Sequence, residues 1–111
     1  MWQGTSKYHA RKTTVDGITF DSRREADRYL VLKGMAEDGT IGDLRRQVRY
    51  ELVPAFDVGG RHYRPVYYVA DFVYVEDGKE VVEDVKGMIT DVYRLKSKLF
   101  AQRYGKAIKE T

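Results

Sequence analysis

Asp71 interrupts the stretch 67–75, in which every other residue is aromatic, β-branched or alanine. Such a run, apolar on both faces, predicts a central β-strand. A carboxylate inside it is costly unless it is paired, hydrogen-bonded or bound to a cation. Any fold this chain adopts must therefore bring a partner to Asp71.

The residues just beyond supply candidates. Asp77-Gly78 is a strong signal for a two-residue hairpin turn. Pairing outward from it sets Glu76 opposite Lys79, Tyr74 opposite Val81 and Val73 opposite Val82. Two steps further, Asp71 falls opposite Asp84, and Val69 opposite Lys86. Alternation then puts Val82, Asp84 and Lys86 on the face of Val69, Asp71 and Val73. Glu83 points to the other face, opposite Phe72. A one-residue slip would undo this grouping.

Facing carboxylates about 5 Å apart destabilise a sheet. A hard divalent cation between them turns repulsion into coordination. Phosphodiester hydrolysis needs a positioned water and stabilisation of developing negative charge. Magnesium held by Asp71 and Asp84 can polarise a phosphate and lower the pKa of a bound water. Lys86 can orient or deprotonate that water, or stabilise the charge. Two blander readings stay open: a core arginine paired with Asp71, and a solvated strand face for Asp84 and Lys86.

Charge is distributed in keeping with a polyanion partner around a cation-binding centre. Residues 1–12 carry three basic side chains and no acid, and residues 86–109 carry seven against one. The middle, 13–85, is acidic, with fifteen acids and ten basic residues. This pattern suits nucleic acid, though a lysine-rich solvated end is the plain alternative. There is no cysteine, which removes disulfides, thiolate zinc and cysteine nucleophiles and is compatible with a cytoplasmic location. No apolar run approaches the ~20 residues of a membrane span. The N-terminus, polar and basic, does not read as a signal peptide.

The 111 residues suit one domain, with a basic arm at 1–12 and a single domain over 13–111. Asp16-Gly17 predicts a short hairpin. Ser22-Arg23-Arg24-Glu25 reads as a capping box, opening a helix with Ala26, Tyr29, Leu30 and Lys33 inward and Gly39 closing it. Residues 44–56 alternate as a strand. Leu44, Val48, Tyr50, Leu52 and Phe56 share one face, with Arg46 and Pro54 between them, and Arg45, Gln47, Arg49 and Glu51 take the other. Residues 57–64 read as a loop or turn, and 81–86 as a short strand. Thr90 caps a second helix to about Tyr104, with Val92, Leu95 and Leu99 on one face and Tyr93, Phe100 and Tyr104 on its flank. Gly105 ends it, and Ala107-Ile108 can add an edge strand. The sum is a mixed α/β domain with a largely antiparallel sheet.

The pattern Asp71 … Asp84-Val85-Lys86 resembles the PD-(D/E)xK signature of the restriction-endonuclease-like superfamily. The likeness covers most of the chain. The runs 14–26, 68–72, 82–87 and Tyr93-Arg94-Leu95-Lys96 are similar to small endonuclease-like proteins of phages and prophages. The resemblance implies a helix, a three-stranded antiparallel meander, a helix and a further strand, here preceded by the short N-terminal hairpin. It implies that Glu25 joins Asp71, Asp84 and Lys86 as a catalytic residue, and that Glu25 and the Val85 carbonyl join Asp71 and Asp84 as metal ligands. Glu25 reads equally as the capping-box partner of Ser22. The position before Asp71 is Ala70 rather than the signature's proline, a substitution the superfamily tolerates.

The activity implied is a Mg²⁺-dependent endodeoxyribonuclease, with Mn²⁺ as substitute, acting in phage DNA metabolism in the host cytoplasm. The chain has no room for a separate sequence-reading domain, so the substrate expected is DNA cut without sequence preference or by its shape. Branched DNA such as a Holliday junction is included. Two strands need two sites, so the analogy implies a homodimer. A non-catalytic nucleic-acid-binding or phage replication or packaging protein on the same fold is the alternative, and an RNA-directed nuclease is a third reading. Candidate nucleic-acid contacts are Lys7, Arg11 and Lys12 in the arm. Arg45, Gln47 and Arg49 on the first long strand follow, then Tyr93, Lys96 and Lys98 on the second helix. Each is also readable as ordinary solvated surface. His9 and His62 have no partner at metal-ligand spacing.

Overall fold

The computed structural model describes residues 12–111, so the expected arm lies outside the described residues except for Lys12. Along the chain run β1 (Thr13–Val15), β2 (Ile18–Phe20), α1 (Arg23–Glu37), β3 (Gly42–Val53), β4 (Phe56–Val58), β5 (Arg61–Tyr63), β6 (Val66–Glu76), β7 (Lys79–Asp84), α2 (Asp91–Tyr104) and β8 (Lys109–Glu110). The architecture is mixed α/β.

Turn chemistry sets the pairing. Asp16-Gly17, Gly59-Gly60 and Asp77-Gly78 all have positive φ at both residues. That is the conformation of the two-residue turn whose twist matches antiparallel strands. These turns close β1–β2, β4–β5 and β6–β7. The main sheet has the order β3-β6-β7-β8, antiparallel except for β7–β8, which is parallel.

Each helix begins as its sequence dictates. Ser22 Oγ accepts the Glu25 N–H at 3.1 Å, and Thr90 Oγ1 accepts the Tyr93 N–H at 3.1 Å. These caps satisfy donors that the first turn leaves free. Gly105 closes α2 in the left-handed region.

The sheet is buried on both sides. Against α2 lie Leu52, Tyr68, Ala70, Val73 and Val82, packed on Tyr93 and Phe100. Against α1 and the first hairpin lie Phe72 and Tyr74, with Phe20, Ala26, Leu32 and Ile41. Full burial of a side chain such as Phe100 or Leu32 contributes roughly 1.5–3 kcal/mol. Among the described residues, no helix is long and apolar enough to cross a membrane.

The facing of residues changes across Gln47 and Asp71. Before Gln47, Leu44 packs on the α1 side; after it, Val48 and Tyr50 pack on the α2 side. On β6, Ala70 belongs with α2 and Phe72 with α1. Register is nevertheless kept, with Arg46 opposite Phe72 and Val48 opposite Ala70. Gln47 has φ +53, a left-handed conformation that costs a non-glycine residue of order 1 kcal/mol. Strict alternation over 44–56 is therefore corrected: Leu44 does not share a face with Val48, nor Arg45 with Arg49.

Other expectations need correction too. The long strand ends at Val53, because Pro54 has no N–H to continue it. Phe56 starts a separate hairpin in place of the expected loop. On α1, Leu30 faces solvent and Leu32 is buried; on α2, Val92 and Leu95 face solvent. Aromatic bulk wins the inner face of α2, where Phe100 meets Tyr50, Tyr68 and Tyr104. The last strand is Lys109–Glu110, two residues later than expected.

Candidate functional site

β6 and β7 pair as the turn requires: Glu76 with Lys79, Tyr74 with Val81, Val73 with Val82 and Phe72 with Glu83. The ladder stops there. Val69 does not pair with Lys86, because β7 turns toward β8. The Lys86 N–H donates to the Thr111 carbonyl, and the Thr111 N–H to the Asp84 carbonyl, both at 3.0 Å. Asp71 and Asp84 are the next residues in register, at the mouth of the opening strands.

Their carboxyl groups meet within hydrogen-bonding reach of one another. The Val85 N–H donates to Asp71 Oδ2 at 2.9 Å, and Lys86 Nζ donates to Asp84 Oδ2 at 2.9 Å. Burial, then the hydrogen bond with Asp84, pushes the Asp71 carboxyl up to about 8 against the relief given by Val85 N–H. Two like charges this close disfavour ionisation of both carboxyls at once.

Glu25 arrives from the first turn of α1. Its cap is one-sided: Ser22 holds the Glu25 N–H, while the Glu25 carboxylate turns inward. It accepts Gln47 Nε2 at 3.3 Å and lies 3.7 Å from Arg46. Burial raises its pKa against the opposing Arg46 charge, with Asp21 and Asp84 adding to the rise. The strained backbone at Gln47 aims the same amide at Asp71 Oδ1, 3.4 Å away. Gln47 thus stands between Glu25 and Asp71. Among the described residues, no three His, Cys, Asp or Glu side chains close on one metal-binding point. The meeting pair is Asp71 with Asp84, and Glu25 stands behind the amide.

Lys86 is doubly located, by Asp84 and by the Tyr93 ring beneath it at 4.0 Å. Tyr93 is buried, and its hydroxyl donates to Glu110 Oε2 at 2.8 Å. Its place is under Lys86, whereas on the same helix Lys96 is half-buried and Lys98 exposed. Arg45 pairs with Asp43 and Glu80, away from the acidic pair. Arg49 lies over the Tyr67 ring at 4.3 Å. Lys12 is exposed, 3.8 Å from Asp21. Lys7 and Arg11 lie outside the described residues.

Sequence reasoning missed three contributors. Arg46, expected among apolar neighbours, stacks on Phe20 at 4.4 Å and faces Glu25. Tyr68 has a buried hydroxyl beside Asp84 that makes no well-formed hydrogen bond, and the Asp84 carboxylate, by its charge and its nearness to that hydroxyl, adds to the burial that raises its pKa. Glu110 orients Tyr93. Arginine at an inward strand position was the one signal available, since a buried arginine needs an anion.

The donors at this site suit a hard divalent cation. They are oxygens only: two carboxylates that repel unless something positive lies between them, and a buried hydroxyl that makes no well-formed hydrogen bond. Magnesium and manganese take such ligands and keep several waters, so two protein carboxylates suffice.

Fold and site together define a small mixed α/β domain with an under-neutralised acidic pair, Asp84 buried and Asp71 half-buried, and an anchored lysine at the open end of its central strands. The chain belongs to the family described as "Protein of unknown function (DUF1064)", whose model matches residues 5–111. No curated protein and no solved structure matches the chain.

Proposed function

We propose that the protein is a metal-dependent endonuclease that hydrolyses DNA phosphodiester bonds, with the restriction-endonuclease-like core that its PD-(D/E)xK-like residues imply. The observation that carries this reading is the meeting of Asp71 and Asp84 with Lys86 Nζ 2.9 Å from Asp84. Support also comes from element order: α1, the β3–β6–β7 meander, α2 and β8 follow the sequence the resemblance implies.

Asp71 and Asp84, with the Val85 carbonyl, are the residues that would hold Mg²⁺ or Mn²⁺. The ion supplies Lewis-acid stabilisation of the charge that develops on the scissile phosphate. The chain's own groups do the rest. Lys86 has three N–H donors. Asp84 takes one and the Tyr93 face another, leaving one for a phosphate oxygen or the attacking water. Glu25, with its raised pKa, is placed to hold or accept a proton near that water. Gln47 fixes the spacing of Glu25 and Asp71. The substrate proposed is DNA cut by shape or without sequence preference, with branched junctions included. Two copies of the chain would act on two strands.

A non-catalytic nucleic-acid-binding role on the same fold is the second reading. The observation favouring it is the Gln47 amide between Glu25 and Asp71, which keeps three carboxylates from converging.

One cleavage panel separates the two. Supercoiled plasmid, linear duplex, single strand, flap and four-way junction are incubated with Mg²⁺, Mn²⁺ or EDTA. Cutting is expected only with metal, and Lys86→Ala or Asp84→Asn should each slow it by about 10³-fold or more, the scale of losing a charge-stabilising group. Cutting that survives EDTA, or both substitutions, overturns the mechanism. Binding without cutting of any substrate selects the second reading.

A further inference from the structure

The β4–β5 hairpin is exposed along its whole length. Its strands offer Phe56, Val58 and Tyr63 to solvent, and Val66 follows at its base. Phe56 and Tyr63 stack on one another at 4.8 Å, nearly parallel at 11°. An exposed apolar ribbon of this kind marks an interaction surface.

Its charges indicate the partner. Both acids nearby are already engaged, Asp57 with His62 at 3.0 Å and Glu51 with Arg103 at 3.2 Å. Among the described residues, Arg49, Arg61 and Arg64 have no carboxylate partner. Arg49 and Arg61 instead lie over Tyr67 and Tyr63, at 4.3 and 5.3 Å. A guanidinium stacked on a ring keeps its N–H edges free for phosphate.

Along β6 this surface lies on the N-terminal side of Asp71. Ala70 and Tyr68 pack toward α2, so Val69 and Tyr67 face the other way, as does Arg49 beside Val48. By strand rise Tyr67 stands roughly 13 Å from Asp71 along β6, and the hairpin begins just beyond. We propose that the β4–β5 hairpin, with Arg49 and Tyr67 at its base, is an arm that docks duplex DNA. This deepens the nuclease reading and rests on it for the identity of the polymer. A two-stranded ribbon fits the ~12 Å major groove of B-form DNA, whereas the A-form RNA groove is too narrow and deep. The glycine pair at the tip lets backbone approach the groove floor.

The test measures binding of a labelled DNA duplex in EDTA, where the proposed chemistry is silent, across a range of salt. Arg61→Ala/Arg64→Ala should weaken binding by about tenfold or more and flatten the salt dependence by about two, one unit for each phosphate that is no longer neutralised. Phe56→Ser should also weaken binding, and thermal melting of both variants should match wild type because the hairpin covers no core. Unchanged affinity and salt slope in the double variant overturn the proposal. So does equal hairpin-dependent binding of duplex RNA, or loss of self-association in Phe56→Ser with DNA binding intact. If wild type cuts no substrate yet the double variant loses DNA binding, the arm stands and the nuclease reading falls. If wild type cuts and the double variant binds as before, the reverse holds.

Discussion

Glu83 and Asp84 are neighbours on one strand, both buried, and face opposite sides of the sheet in opposite circumstances. Glu83 is fully buried among donors: Arg28 bidentately through Nε and Nη2, Tyr74 Oη at 2.6 Å and Thr111 Oγ1 at 3.0 Å. Burial opposes its ionisation, but the hydrogen bonds from Arg28 and Tyr74 outweigh that and hold its pKa below the usual value. Asp84 meets Asp71, another acid, and among the described residues its one cation is Lys86. Burial of a carboxylate is therefore no sign of function by itself. What separates a structural acid from a chemical one is whether its neighbours already neutralise it.

The sharpest way to break this contrast is to unbalance the satisfied side. Arg28→Ala leaves Glu83 charged and uncompensated in the core. It should cost about 3–5 kcal/mol, a large share of a small domain's total of about 5–15 kcal/mol. Urea denaturation reads this directly. A loss below about 1 kcal/mol would show that Glu83 finds other partners, and would erase the distinction.

On the other face the sign reverses. Asp71→Asn replaces a carboxyl that must take up a proton on folding with a neutral amide that donates to Asp84. In EDTA it should raise stability by about 1–2 kcal/mol, as happens where a functional site stores repulsion. It should also abolish both the gain in melting temperature that Mg²⁺ gives wild type and any cleavage. A destabilised Asp71→Asn would make Asp71 an ordinary structural acid.

That reversal was partly legible in the sequence. The Asp77-Gly78 turn and period-two alternation brought Asp71 to Asp84 and sent Glu83 the other way, because turn chemistry and pleat are local rules. Arg28 as the partner of Glu83 was not legible, since the pairing spans 55 residues and depends on how α1 crosses the sheet. Gln47 was singled out, but its left-handed conformation escaped for a different reason. No residue-type rule places glutamine in a left-handed conformation in mid-strand, and the resulting change of facing misassigned Arg45. Amphipathic counting failed on α2 because Val92 and Leu95 fit the helical period as well as Tyr93 and Phe100 do. Only the tyrosine-rich sheet beneath decides between them.

The contrast also predicts a dependence on pH, with opposite signs for the two faces. The native state holds a proton at Asp71 up to about 8, whereas the unfolded chain releases it near the ordinary 3.8. Between these values the folded form binds more protons, so stability falls as pH rises. Glu83, with its lowered pKa, contributes stability that is present above 4.5, its unfolded-chain value, and is lost as pH falls toward the folded value. Melting temperature in EDTA should therefore decline from pH 6 to pH 8, because the folded chain holds close to one extra proton over most of that window. Mg²⁺ should restore most of the loss at pH 8 and little at pH 6. A melting temperature that rises with pH in EDTA would contradict the arrangement.

The finest test uses two tyrosines, one on each face. Tyr74 donates to Glu83, while the buried Tyr68 hydroxyl beside Asp84 makes no well-formed hydrogen bond. Removing a donor from a buried carboxylate costs about 1.5–3 kcal/mol, while removing a buried hydroxyl that makes no well-formed hydrogen bond costs far less and relieves its desolvation. Tyr74→Phe should lower stability by that amount. Tyr68→Phe should leave it unchanged or raise it by less than about 1 kcal/mol. The difference between the two substitutions is the quantity to measure, by paired denaturant titrations in EDTA. Equal losses would mean that Tyr68 is as well satisfied as Tyr74. The Asp71–Asp84 end would then be as settled as the Glu83 end, with no repulsion left for a cation to relieve.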